Sequence, residues 1–215
     1  MFNRIESRYY SKSKVFCIGL NKTGTTSIGF VLQELGLKVG DESKAKTLLT
    51  SWINRDFKAI TNYCKSADAF QDSPFSFPYT YIFLKNEFPD SRFILTVRNS
   101  SDEWVDSLIR FHSKLWGAGA VPRPDDLKKS KNHTIGRPWV VNQKVFQSPP
   151  DDPYNRAHLK RFYENHNSSV KDFFSTIPDF LIEINLSEKG SYLQLCDFLN
   201  LQPVRNQFPK LNSSN

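Results

Sequence analysis

Val15-Phe16-Cys17-Ile18 is a short apolar run that breaks at Gly19 and passes through Leu20-Asn21-Lys22-Thr23-Gly24-Thr25-Thr26-Ser27. It resumes as a helical pattern with Ile28, Val31, Leu32 and Leu35 on one side. A strand, a loop bounded by glycines and a helix, in that order, admit few folds. The loop turns tightly, and the helix start aims backbone N–H groups at an anion. The frame Gly19-x4-Gly24 fits the phosphate-loop pattern, which continues with Lys and then Ser or Thr. Here Thr25-Thr26 hold those two positions, and the lysine lies inside the loop as Lys22.

The remaining chain continues the alternation. The first strand is expected at about 14–19 and its helix at about 25–35, with Gly36 as the helix stop. Leu37-Lys38-Val39 reads as a short second strand and 42–66 as weakly patterned helix. Ala67-Asp68-Ala69-Phe70-Gln71 reads as a third strand ending at Asp72-Ser73-Pro74. Pro78 starts a helix carrying Tyr81, Ile82 and Leu84, which stops at Phe88-Pro89-Asp90. Arg92-Phe93-Ile94-Leu95-Thr96-Val97 is a near-continuous apolar run suited to a buried parallel strand, with Arg98 at its C-terminal end.

Ser100 and Glu103 have capping-box spacing and open a helix with Trp104, Leu108, Phe111 and Leu115 at helical intervals. Residues 117–153, rich in Pro, Gly and charge, are too long for a simple connection and read as a lid or an acceptor-binding insertion. Their densest basic run, Lys128-Lys129-Ser130-Lys131, reads as a solvated loop. A helix at about 155–176 carries Leu159, Phe162, Tyr163, Val170, Phe173 and Phe174 on one face. Phe180-Leu181-Ile182-Glu183-Ile184 is the last strand, and the last helix, 190–200, turns Tyr192, Leu195, Cys196 and Leu199 inward. Strands alternating with helices imply an α/β fold with a parallel sheet covered on both faces. Ligands of such sheets bind outside the carboxyl ends of the strands, where Gly19, Lys22, Asp72 and Arg98 all fall.

Length and composition agree with one domain over 1–215 preceded by a polar arm at 1–13. A hydrophobic fraction of 39% with 18 Phe argues for a packed core. No apolar run approaches the roughly 20 residues that span a bilayer, and the start has no segment of signal-peptide type. A soluble, cytoplasmic protein with no membrane span is expected. Cys17, Cys64 and Cys196 have no metal-ligand spacing and read as buried thiols. The net charge of +7 suits a polyanionic partner. No nucleic-acid motif accompanies it, so a nucleotide carrying several phosphates is the better match and nucleic acid is not expected.

Kinases and NTPases place a lysine just after the second glycine and a carboxylate at a strand end to hold Mg²⁺. Here position 25 is Thr and the strand at 92–97 leads into Arg98. An added cation without that carboxylate suits a substrate needing no divalent ion, and no metal is expected. The segment Gly19-Leu20-Asn21-Lys22-Thr23-Gly24-Thr25-Thr26-Ser27 resembles the 5′-phosphosulfate loop of sulfotransferases that use 3′-phosphoadenosine 5′-phosphosulfate (PAPS). Phe93-Ile94-Leu95-Thr96-Val97-Arg98-Asn99, with Trp104 and Ser107, is similar to the 3′-phosphate segment of that family. Weaker similarities lie at Tyr163-Glu164-Asn165-His166-Asn167 and Phe208-Pro209-Lys210-Leu211-Asn212.

The resemblance implies a P-loop NTPase-like sheet and transfer of a sulfuryl group from PAPS to a hydroxyl or amine of a small-molecule or carbohydrate acceptor. It implies that Asn21, Lys22, Thr23, Gly24, Thr25, Thr26 and Ser27 hold the 5′-phosphate, with Lys22 neutralising charge on the leaving group. Arg98 would pair with the 3′-phosphate. The family's partner serine maps to Ser107 if one residue is inserted near Ser100-Ser101, and otherwise to Asp106. The family's general-base histidine maps to Asp72 in Phe70-Gln71-Asp72-Ser73-Pro74. The histidines compete poorly: His112 has no evident partner, His133 and His158 border the insertion, and His166 reads as a core residue. Two other readings stay open: a small-molecule kinase with an atypical loop, and a nucleotide-binding protein without catalysis.

Overall fold

The computed structural model describes residues 13–209, so residues 1–12 of the expected arm, and the match beyond Pro209, lie outside the described residues. The chain falls into two compact units. One is built from the described residues up to Val97 and from Val170 onward, and the other is Arg98–Ser169. The principal elements in chain order are β1 (Val15–Cys17), α1 (Thr25–Glu34), β2 (Ala69–Phe70), α2 (Thr80–Glu87), β3 (Arg92–Thr96), α3 (Ser101–Trp116), α4 (Arg156–Phe174), β4 (Leu181–Ile184) and α5 (Ser191–Leu199).

The first unit is a parallel sheet in the order β2-β1-β3-β4. Having made β1, the chain moves outward to β2 and then returns across β1 to make β3. The order therefore reverses between β1 and β3, the place where open α/β sheets bind ligands. Directly paired residues share a face. Phe16 is in register with Phe70 on one side and Phe93 on the other, so one face is aromatic. Phe16 lies 5.7 Å from Phe70 and 5.4 Å from Phe93 between ring centres, and Phe93 meets Phe174 at 4.9 Å. Each of these rings is fully buried and contributes on the order of 1.5–3 kcal/mol. For a strand as short as β2 that packing outweighs its few ladder bonds. The opposite face carries Val15, Cys17, Ala69, Ile94 and Ile184 against Ile28, Val31 and Leu32 of α1 and Leu195 and Leu199 of α5.

Several elements differ from their sequence reading. Leu37-Lys38-Val39 is not a strand; it makes one bridge, Val39 to Ala69. The segment 42–66 is three short helices, Glu42–Lys46, Leu49–Ile53 and Phe57–Tyr63, then a 3₁₀ turn. Local caps divide it: Asp41 accepts from the Ser43 and Lys44 amides at 2.9 and 3.2 Å, and Asp56 from Ala59 at 3.2 Å. The helix expected at Pro78 starts at Thr80, because Tyr79 takes a left-handed conformation, φ 64°.

In the second unit Ser100 caps α3 by accepting the Glu103 N–H at 3.1 Å. Glu103 reaches back to the amide of Asn99 (3.2 Å), one residue earlier than a standard capping box. Trp104 stacks on Tyr163 of α4 at 5.0 Å, and Val105, Leu108 and Leu159 complete this core. Phe111 and Leu115, which continue the helical spacing of Trp104 and Leu108, are exposed at 40% and 52%. In these last turns the buried side is that of His112, which meets Tyr154 at 2.9 Å.

The stretch 117–153 is ordered into a helix at Pro124–Lys129, a hairpin pairing Lys131–Asn132 with Thr134–Ile135, and a helix at Arg137–Val141 that widens into a π turn at Asn142–Phe146. Leu127, Val145 and Phe146 are buried within it. The basic run is therefore not a loop throughout: Lys128 and Lys129 close a helix, although both are exposed.

Candidate functional site

The loop after β1 is held by contacts that only certain residues permit. A Cβ on Gly19 would lie 2.5 Å from the Thr96 carbonyl oxygen and 2.6 Å from its nitrogen, so any side chain there meets the backbone of β3. Thr23 donates its hydroxyl to the Leu20 carbonyl at 2.5 Å, and its oxygen also lies 2.5 Å from Thr96 Oγ1. Thr23 has one hydroxyl proton, already committed to Leu20, so Thr96 is the donor to Thr23. Thr23 and Thr96 are both buried, and this brace pins the middle of the loop to the end of β3.

Two loop residues adopt left-handed backbone: Gly24 at φ 106° and Lys22 at φ 69°. The first is easy for glycine. The second is strained for lysine, and strain of this sort concentrates at functional positions. Gly24 packs on Leu186, just past β4, where an added Cβ would come within 2.6 Å of Leu186 Cδ2.

Gly24 is the N-cap of α1 and supplies no side-chain cap, and the first turn contains no acidic residue. The first four amides of a helix have no intrahelical partner. Here they belong to Gly24, Thr25, Thr26 and Ser27, and among the described residues nothing accepts from them. Four donors at the positive end of a helix, fringed by the hydroxyls of Thr25, Thr26 and Ser27, form a cradle suited to a phosphate. Asn21 and Lys22, both partly exposed, precede it.

Asp72 follows β2, whose neighbour in the sheet is β1, so its turn leaves the same carboxyl edge as the glycine loop. One carboxylate oxygen accepts the Ser73 N–H at 2.8 Å, its carbonyl accepts from Ser76 at 3.0 Å, and its φ is 60°. It thus shapes the turn that leads into Ser73-Pro74. Its charge is also felt at the end of β1. The Cys17 thiol is pushed up to about 12, chiefly by burial, with the Asp72 carboxylate adding to the rise. Asp72 and residues 21–27 accordingly belong to one edge of one unit.

Arg98 opens the other unit, directly after Val97. Its backbone N–H donates to Tyr163 Oη at 2.8 Å, and its guanidinium meets Glu103 at 3.2 Å. Residues four apart on a helix share a face, so Ser107 stands one turn beyond Glu103, on the side that holds Arg98. Asp106 is engaged elsewhere, pairing with Arg156 at 2.8 Å.

Thr96, Leu186, Glu103 and Tyr163 support these residues but were not singled out for that role from sequence. Glu103 was visible only as a capping residue, and Thr96 only as one polar residue in an apolar strand. His112 does have a partner, Tyr154, whose phenol is raised well above the ordinary tyrosine range by burial. His158 Nε2 lies 2.7 Å from the Phe146 carbonyl, His166 is buried on α4, and His133 is exposed. Among the described residues no three His, Cys, Asp or Glu side chains gather as metal ligands, and no described helix is long and apolar enough to cross a membrane.

A family model for the sulfotransferase domain matches residues 14–215. No curated protein sequence matches the chain.

Proposed function

Because the chain belongs to the sulfotransferase family, we propose that it transfers a sulfuryl group from PAPS to a hydroxyl or amine of a small-molecule or carbohydrate acceptor in the cytoplasm. The observation that carries this reading is the row of four amides from Gly24 to Ser27 that find no acceptor among the described residues, set behind a loop whose lysine is held in strained backbone. PAPS, when bound, supplies an activated sulfuryl group on a phosphate leaving group.

The amides and the hydroxyls of Thr25, Thr26 and Ser27 would receive the 5′-phosphate, with Asn21 and Thr23 shaping the loop. Lys22 would neutralise the negative charge left on that phosphate when the sulfur–oxygen bond breaks. Stabilising charge at the moment it develops is the largest single contribution in group transfer. Asp72 would take the proton that the acceptor loses as its oxygen or nitrogen bonds to sulfur. Arg98, steadied by Glu103, and Ser107 would take the 3′-phosphate, where a planar guanidinium fork is well matched to phosphate oxygens. The stretch 117–153 would bind or cover the acceptor, and the whole chain would act as one sulfotransferase domain. None of these roles calls for a metal ion.

Transfer of labelled sulfate from PAPS to a panel of phenol, sugar and amine acceptors tests the proposal. Lys22→Ala should lower kcat by about 10²–10³ with little change in nucleotide affinity, and Asp72→Asn should also lower kcat. Full activity in Lys22→Ala would refute the role given to the loop. Mg²⁺-dependent ATP turnover with no sulfate transfer would establish the kinase alternative instead.

A further inference from the structure

The last two turns of α3 and the loop after them make a surface of unusual composition. From Ser107 to Pro124 the chain has no acidic residue and carries three cations, Arg110, Lys114 and Arg123, all exposed. Arg110 and Lys114 are four apart and form one column on the helix, while Phe111 and Leu115 form a second column beside it. The apolar column is 40% exposed at Phe111 and 52% at Leu115. The chain then continues through Ala118, Gly119 and Ala120, all exposed, to Val121, which is 52% exposed. The inner side of the same helix is already used, since Trp104, Val105, Leu108 and His112 are buried. A partner that wraps the whole helix has no access, whereas one that meets a single exposed side does.

We propose that this surface docks the protein on an anionic lipid bilayer. Three features favour a bilayer over a protein partner. Between Asp106 and Asp125 the exposed charges are all positive, and the bounding carboxylates are engaged locally, Asp106 with Arg156 at 2.8 Å and Asp125 with Lys128 at 3.4 Å. Long cationic side chains beside an apolar column can reach lipid headgroups while the column enters the acyl boundary. The small residues 118–120 leave that approach sterically open. Cations at such a surface add attraction to anionic headgroups that fades with salt. Residues 118–123 fall in the stretch given to the acceptor, but Arg110, Phe111, Lys114 and Leu115, which the test changes, have no role in the proposed reaction, so vesicle binding is read apart from it.

Vesicle co-sedimentation of the full chain decides the matter, comparing phosphatidylcholine vesicles with ones that also contain phosphatidylserine. The wild type should pellet with the phosphatidylserine vesicles, do so less as salt rises, and remain in solution with phosphatidylcholine alone. Phe111→Ser with Leu115→Ser, and separately Arg110→Gln with Lys114→Gln, should each reduce partitioning by about tenfold or more. Leu193→Ser, at an equally exposed apolar position on α5, serves as a control and should change nothing. Circular dichroism shows that each variant is folded before it is scored. Failure of the wild type to bind phosphatidylserine vesicles, or equal binding by both double variants, overturns the proposal. A change of oligomeric state in the apolar double variant without vesicle binding would assign the surface to contact between copies, which also overturns it.

Discussion

Thr96 is the point at which the fold and the cradle can be separated experimentally. Its hydroxyl donates to Thr23, 2.5 Å away, while its backbone closes against Gly19. Valine is a poor replacement, since a methyl group would sit where an oxygen now approaches Thr23 at 2.5 Å. Thr96→Ser and Thr96→Ala make the cleaner pair. Both lose one buried methyl, worth about 1 kcal/mol. Alanine alone also loses the donor and leaves the buried Thr23 oxygen short of a partner, a further 1–2 kcal/mol or so. For a chain of this size about 1 kcal/mol moves Tm by roughly 2–4 °C. Serine should therefore lower Tm by about 2–4 °C and alanine by about 4–12 °C.

The two variants should differ also in binding. Without the brace the loop must be ordered by the ligand, so alanine should weaken adenosine 3′,5′-bisphosphate by up to about tenfold, equivalent to one lost hydrogen bond. Serine should bind it as the wild type does. Calorimetric titration and thermal melts on the three proteins suffice. Identical affinity and identical Tm in the serine and alanine variants would show that the Thr96–Thr23 contact does not hold the loop.

Arg98→Lys keeps the charge but loses the planar fork, so it should weaken adenosine 3′,5′-bisphosphate while leaving 5′-AMP binding unchanged, measured by the same titration. Equal weakening of both nucleotides would move Arg98 away from the 3′-phosphate. Cys17 and Cys64 are both raised from 9.0 to about 12, mainly by burial. A raised thiol favours its neutral form in the folded state, so its contribution to stability is complete below about pH 9 and is lost as pH climbs toward 12. Tm should fall over that interval, and less steeply in Cys17→Ala with Cys64→Ala; an equal slope in the variant would contradict the assignment.

What the sequence could and could not disclose follows from how far each contact reaches. The strand at β3 was readable because parallel strands buried on both faces are apolar at nearly every position. Ser100 and Glu103 marked the start of α3 because a cap is local to one turn. The division of 42–66 into three helices was equally local, in Asp41 and Asp56, but its short pieces carry too little periodicity to stand out. The outward position of Phe111 and Leu115 could not be read, because spacing identifies a helix without saying where its neighbour ends. The glycine loop was conspicuous, whereas its supports were not. Thr96 reaches Thr23 across 73 positions of chain, and Leu186 meets Gly24 from beyond the last strand. Such contacts exist only once the sheet has formed.

The cradle itself is tested most directly by its choice of nucleotide. Thermal melts of the wild type should be recorded with adenosine 3′,5′-bisphosphate and, separately, with ATP and Mg²⁺. A ligand present at about a hundred times its Kd adds roughly 2.7 kcal/mol, which is a rise of about 5–10 °C here. Such a rise with the bisphosphate, absent in Lys22→Ala with Arg98→Ala and much smaller with ATP and Mg²⁺, is the predicted result. Stabilisation by ATP and Mg²⁺ alone, or a bisphosphate effect that survives loss of both cations, would contradict it.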